Sequence, residues 1–384
     1  MATEMALPVV APALDLLQAL GWYAREVVGV ERLFGHVTVK RRRNLARPIR
    51  RRRSAFRDPV LCYQFLAMAW LGATRLSQIE PCLERRDDLA RALGLPRFCD
   101  HTTAHNFLNA FHVTHLRQLD EANARLLREH GSALAQRAPI LDLDAAERRV
   151  RRARHRGTRT YRWAVAFSAG EALAQSLQRD PADWLPVVHE ALSQAQRLLS
   201  AKPRLVRLHG PCVSEAVLRE LARQRLPYLA TGPWAFVRAV HPPAAASARW
   251  TAIGNGARAL DLGAALAPYR ARHWARAILI ERHADCAEAR PERTGIVTTR
   301  LHDPTPTIAC LSASASRIRP FFGHPRWPLD DGKLPSGDPR GTAAFLRLAT
   351  IAMNVLRLFA RHLGGECTAA RLHERLRAIG WRGA

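Results

Sequence analysis

The sequence predicts an α/β protein in which a mixed-sheet layer follows an all-helical region. Three observations carry this. From Asp58 to His130, apolar residues recur at helical spacing, in segments that open on capping residues and close on glycines. From about residue 138 the pattern changes to short apolar runs of strand character, the first three in succession. Between residues 186 and 231 strands then alternate with helices, as in an α/β layer.

The chain has 384 residues, 48% of them hydrophobic, enough to bury a sizeable core in two or three structural units. Its net charge is +26 and its pI about 11.4, which points to a polyanionic partner. Lysine occurs only at Lys40, Lys202 and Lys333, so nearly all the positive charge is arginine. A compositional bias explains arginine in place of lysine, but not so large an excess of charge. The seven cysteines are odd in number and scattered without a C-x-x-C pair, which predicts reduced thiols and excludes a zinc ribbon or disulfide scaffold. The longest apolar run, Pro59 to Ala73, is broken by Gln64 and is too short to span a bilayer. The N-terminus lacks a signal pattern. These features predict a cytoplasmic, nucleoid-associated protein without a membrane partner.

Residues 1–57 read as a short helical lead-in and a basic arm. The arm, KRRRNLARPIRRRRSAFR over 40–57, carries ten basic side chains, among them Arg41, Arg42, Arg43, Arg50, Arg51, Arg52 and Arg53. So dense a block repels itself until it meets an anion, or else stands as a solvated arm. Residues 58–135 read as a helical DNA-binding domain. Asp58-Pro59 starts a helix that ends near Gly72, short helices follow over 75–85 and 87–94, and further helices cover 103–111 and 114–130. A short helix exposing Thr102, Thr103, His105, Asn106 and Asn109 fits a helix-turn-helix-like reader, with Thr103 and Asn106 as its contacts. An ordinary bundle with polar outer faces fits the same pattern. His101 and His105 are spaced like metal ligands, yet no partner cluster stands nearby in the sequence.

The sheet layer is expected from strands at 138–144, 161–168 and 172–177, with a turn at Ala169-Gly170. A helix at 186–200, a strand at 204–209, a helix at 214–225 and a strand at 227–231 follow. Residues 232 to about 315 read as an insertion with strands near 276–283 and 295–301. A loop-rich stretch then leads to an apolar helix at 342–362 and a basic tail at 363–384.

The stretch LDLDAAERRVRRARHRG, residues 141–157, brings two chemistries together. Asp142 and Asp144 alternate along a strand and point the same way, and arginines Arg148, Arg149, Arg151 and Arg152 follow at once. Carboxylates here either cap a turn or pair with arginine, or they hold a hard metal ion beside a phosphate track.

Several segments together resemble the DDE-type insertion-sequence transposases. LCYQFLAMAWLGATRLSQIEPCLERRDDLARALGL followed by DHTTAHNFLNAF is similar to the family's helical end-binding region. ILDLDAA sits at its first acidic motif, VRLHGPCVSEAVLREL at its second, commonly R-x-D-[SG]-G-F-x-S, and FLRLATIAMNVLRLF, with Asn354, at its closing helix. The resemblance covers about residues 58–362. It implies a ribonuclease H-like mixed sheet over 136–362 with a strand-containing insertion, double-stranded DNA as partner, and a homodimer on element ends. It also implies two Mg²⁺ ions held by three carboxylates for strand cleavage and transfer. Asp144, aided by Asp142, takes the place of the first metal ligand. His209 stands where the second aspartate belongs, and no Glu occurs between Arg293 and Gly365. At Tyr269-Arg270-Ala271-Arg272-His273-Trp274 the glutamate position of a Y-x-x-R-x-x-x-E motif falls on Arg276, and the nearest acids are Asp330 and Asp331. Two expectations follow: an active DNA strand transferase, or a catalytically inactive transposase-like protein that only binds DNA. A basic RNA-binding protein would explain the charge but not the order of the motifs.

Overall fold

A computed structural model describes residues 12–39, 56–73, 75–151, 158–240, 250–254, 256–267, 273–282, 292–316, 336, 338–364 and 368–380. In chain order the helices are α1 Ala13–Trp22, α2 Val30–Leu33, α3 Asp58–Trp70, α4 Asp87–Ala92, α5 His101–Asn109, α6 Val113–His130, α7 Leu185–Leu198, α8 Glu215–Arg223, α9 Trp234–Val240, α10 Thr305–Ser316, α11 Pro339–His362 and α12 Ala369–Gly380. The strands are β1 Ile140–Arg151, β2 Thr158–Ser168, β3 Glu171–Arg179, β4 Leu205–Leu208, β5 Tyr228–Gly232, β6 Trp250–Gly254, β7 Ala257–Leu266, β8 Trp274–Arg282 and β9 Glu292–Thr298. The chain divides into a helical unit, residues 1–132 with 321–384, and a sheet unit, residues 133–320.

The helical unit is built around α11. This helix is long and apolar enough to cross a membrane, but 94% of its apolar window is buried within the protein, as befits a core helix. It packs against α3, α5, α6 and α12. Its buried amide and guanidinium groups are partnered, as groups withdrawn from water usually are, while the buried Thr350 hydroxyl has no hydrogen-bond partner among the described residues. Asn354 Nδ2 donates to Asn123 Oδ1 at 2.8 Å, and Arg347 grips the Asp120 carboxylate at 2.8 and 3.2 Å. The Trp70 indole N–H of α3 donates to the Ala352 carbonyl at 2.7 Å. The sequence boundaries place this helix with the sheet; it instead belongs to the helical unit, whose apolar faces enclose it. α5 begins two residues before the expected Thr103, because Asp100 caps it by accepting from the Thr103 N–H at 2.7 Å.

The sheet unit is mixed α/β. Its nine strands run in the order β3-β2-β1-β4-β5-β9-β8-β7-β6. β1 is antiparallel to β2 and parallel to β4, and β4 is parallel to β5. From β5 outward every pairing is antiparallel. The β2–β3 hairpin turns at Ala169 and Gly170, both at positive φ (48° and 74°), the left-handed geometry that a two-residue turn needs. α7 lies against β2 and β3. Leu205, Leu229, Ile278, Ile296 and Ile308 form one apolar cluster joining β4, β5, β8, β9 and α10. The strand extension has its own polar brace: buried Glu281 of β8 accepts from Arg258 of β7 and Arg293 of β9, and these guanidiniums lie over Trp250 and Trp234. The two tryptophans stack at 5.9 Å, each with one of these guanidiniums against its ring.

Candidate functional site at the acidic end of the first strand

β1 is longer than its sequence pattern predicts, running to Arg151, where its outer half pairs with β2 in a long hairpin. The inner half pairs with β4, which ends at Leu208. His209 N–H still donates to the Leu143 carbonyl at 3.0 Å, and the chain then turns away through Gly210. Gly210 has φ +76°, and a side chain there would meet the Ala145 carbonyl and Asp144 Oδ1 at 3.4 and 3.6 Å. Those are ordinary contact distances, so it is the left-handed backbone of this turn, rather than lack of space, that favours glycine.

In this register Asp142 lies opposite Arg207, both side chains on one face. The guanidinium takes the carboxylate in a two-point grip, Nε to Oδ1 at 2.5 Å and Nη2 to Oδ2 at 2.8 Å. Arg207 Nη1 also donates to the Leu311 carbonyl of α10 at 2.9 Å, so one side chain ties β4 to β1 and to α10. Asp142 and Arg207 are 2% and 6% exposed. Burial pushes the Asp142 carboxyl above its ordinary range, and the Arg207 hydrogen bonds and charge pull against it.

Asp144 stands two residues further along the same face, half-buried, its Oδ1 accepting from the Ala145 N–H at 2.8 Å. His209 is buried at the end of β4. Beyond it the Cys212 thiol donates to the His209 carbonyl at 3.1 Å. Burial, the negative charge of Asp144 adding to it, pushes that thiol up to about 12, so it stays protonated and is no nucleophile at neutral pH.

The two expected acids therefore have different roles in the fold. Both oxygens of Asp142 are engaged by a guanidinium, which leaves Asp144 as the carboxylate next to His209. α10 supplies no carboxylate, its sequence being TPTIACLSASAS. Arg276 of β8, at the aligned glutamate position, is held by Asp261 of β7, by Thr305, and by the Leu301 and Asp303 carbonyls. Among the described residues no group of three or more His, Cys, Asp or Glu could hold a metal ion. This donor set does not fit two Mg²⁺ ions, which need several carboxylate oxygens facing one point. Asp330 and Asp331 lie outside the described residues.

Of the expected DNA contacts, Arg41, Arg42, Arg43, Arg50, Arg51, Arg52, Arg53 and Arg152 lie outside the described residues. Arg148, Arg149 and Arg151 occupy β1 opposite Tyr161, Thr160 and Thr158. In the helical unit Asn106 is exposed on α5, whereas Thr103 is engaged in the cap, its hydroxyl donating to Asp100 Oδ2 at 2.8 Å. Arg207 is the residue that the sequence reading missed. Asp142-x-Asp144 and Arg207-x-His209 share a two-residue spacing, and the parallel pairing of β1 with β4 sets Arg207 against Asp142. No protein-family model matches this chain, and no characterised protein matches it in sequence.

Proposed function

We propose that this chain is a double-stranded DNA-binding protein built on the plan of the DDE-type transposases, with a ribonuclease H-like core that does not perform two-metal strand transfer. The sheet order β3-β2-β1-β4-β5, with only β2 running against its neighbours, supports the core assignment. The observation that carries the functional reading is the state of the acidic strand end. Asp142 is closed off by Arg207, the second acid position is His209, and α10 has no carboxylate to offer. An in-line displacement at phosphorus would then lack charge stabilisation on the attacking or the leaving oxygen. The +26 net charge remains, and it suits a phosphate backbone.

Fluorescence anisotropy on a labelled duplex, titrated with salt in EDTA, tests the binding. With on the order of eight phosphates engaged, the log–log slope should be near −7. Replacing Arg50 to Arg53 by Ala should weaken binding about equally across sequences, while Asn106→Ala should act selectively if α5 reads bases. A slope shallower than about −2, or stronger competition by RNA than by duplex DNA, refutes duplex binding. Mg²⁺-dependent nicking that is lost in Asp144→Ala refutes the absence of catalysis.

A further inference from the structure

We infer that the guanidinium of Arg207 is the resident cation of the acidic end of β1, so this end of the sheet takes no divalent ion while Arg207 is present and becomes a divalent-cation site when it is removed. The inference deepens the proposed loss of two-ion chemistry by assigning the charge that stands there instead. Asp142 is a carboxylate at 2% exposure, and a buried anion persists only with a cation or hydrogen-bond donors against it. Arg207 supplies both at once, through two donors at 2.5 and 2.8 Å to the two carboxylate oxygens. A third donor goes to the Leu311 carbonyl, so oxygens from β1 and α10 converge on one planar cation. Asp144 follows on the same face of β1.

Oxygens of this kind, carboxylate and carbonyl, are also what a hard divalent ion selects. Such an ion cannot reach Asp142 without displacing the guanidinium, because two cations on one carboxylate would sit only a few ångströms apart and repel. Removing the guanidinium takes from Asp142 the cation that holds both its oxygens, and a divalent ion is the replacement its oxygens and the Leu311 carbonyl can accept.

The test compares thermal unfolding of the full chain in EDTA and in millimolar Mn²⁺, alongside the free Mn²⁺ signal in electron paramagnetic resonance. The unmodified protein should unfold at the same temperature in both and leave the ion free. Arg207→Ala should unfold earlier in EDTA and regain on the order of 3 °C or more at ten times the Mn²⁺ dissociation constant. Arg207→Ala combined with Asp142→Asn should lose that response. If Arg207→Ala does not fold in EDTA, refolding it in Mn²⁺ reads the same question: recovery supports the inference and failure to recover overturns it. Stoichiometric Mn²⁺ binding by the unmodified chain, lost in Asp144→Asn, also overturns it. Duplex binding measured in EDTA is a separate readout. Its absence would refute the DNA-binding reading and leave the Mn²⁺ result to decide the cation.

Discussion

Breaking the Asp142–Arg207 pair from either side should destabilise the sheet unit strongly, whereas replacing both partners should not. Asp142→Leu leaves a guanidinium that is 6% exposed without its carboxylate but with its bond to the Leu311 carbonyl, and Arg207→Met leaves a carboxylate that is 2% exposed. Removing one member of a buried pair typically costs about 3–5 kcal/mol, because the remaining charge is neither hydrated nor neutralised. We take the lower end, about 3 kcal/mol, for Asp142→Leu, since Leu311 still accepts from Arg207. We take about 4 kcal/mol for Arg207→Met. The double variant fills the space with apolar side chains and should lie within about 1 kcal/mol of the parent. The single losses should therefore fail to add by several kcal/mol, the signature of a direct interaction. Urea unfolding followed by tryptophan fluorescence, with the midpoint and slope fitted separately, measures all four proteins. Single variants costing less than about 1 kcal/mol, or a double variant equal to the sum of the singles, would show that the grip is not closed in solution.

Three more outcomes follow from the same structure. Asn354→Leu removes the donor to Asn123 from the centre of α11 and should lower stability by about 1–3 kcal/mol in the same urea assay; no loss would mean that the amide pair is not formed. Glu220 of α8 is held down to about 2 by hydrogen bonds from Arg223 and Gln224, with the Arg223 and His189 charges adding. A carboxyl depressed on folding contributes stability above its unfolded value of 4.5 and loses it as pH falls towards 2. Because Arg223 is solvent-exposed, the contribution should be only about 1 kcal/mol, and Glu220→Gln should flatten the acid limb of an unfolding curve over that range. With Arg207 still in place, His209→Asp should give neither a calorimetric Mg²⁺ signal nor plasmid nicking; turnover in that variant would mean that a third acid outside the described residues completes the site.

Much of the sheet could be read from the sequence because its strands are short apolar runs with clear ends. The segments expected at 161–168, 172–177, 204–209 and 227–231 form β2, β3, β4 and β5 within a few residues. β1 was read too short because its outer half is arginine-rich. Charge there breaks the apolar alternation, and only pairing with β2 holds the segment extended. β7, ARALDLGAAL, went unrecognised for the opposite reason: alanine and leucine favour a helix locally, and the strand exists because β6 and β8 pair on either side. The closing helix was found, but its unit was not, since an apolar helix carries no label for the surface it will cover. At the site, the acids could be read from alternation alone. Their different roles could not, because the partner that separates them lies 65 residues away and is set by parallel register.

The same register clarifies where the charge of this chain is available. Arg162, Arg207, Arg258, Arg276, Arg293 and Arg347 are each held by a carboxylate within the fold, so these arginines cancel acids and add little to an external field. A compositional preference for arginine over lysine suffices to explain them. By contrast, residues 40–57 and 148–159 contain seventeen basic side chains and no acidic one, most of the net +26. The rest of the chain carries 42 basic against 33 acidic side chains, so about two-thirds of the excess is concentrated in two short segments of sequence. For a polyanion this matters more than the total, since phosphate binding scales with the number of cations that can approach the backbone together. It also sets the order in which substitutions should act on the proposed DNA binding: alanines in either segment reduce the salt slope directly, whereas alanines at the paired arginines act first on stability.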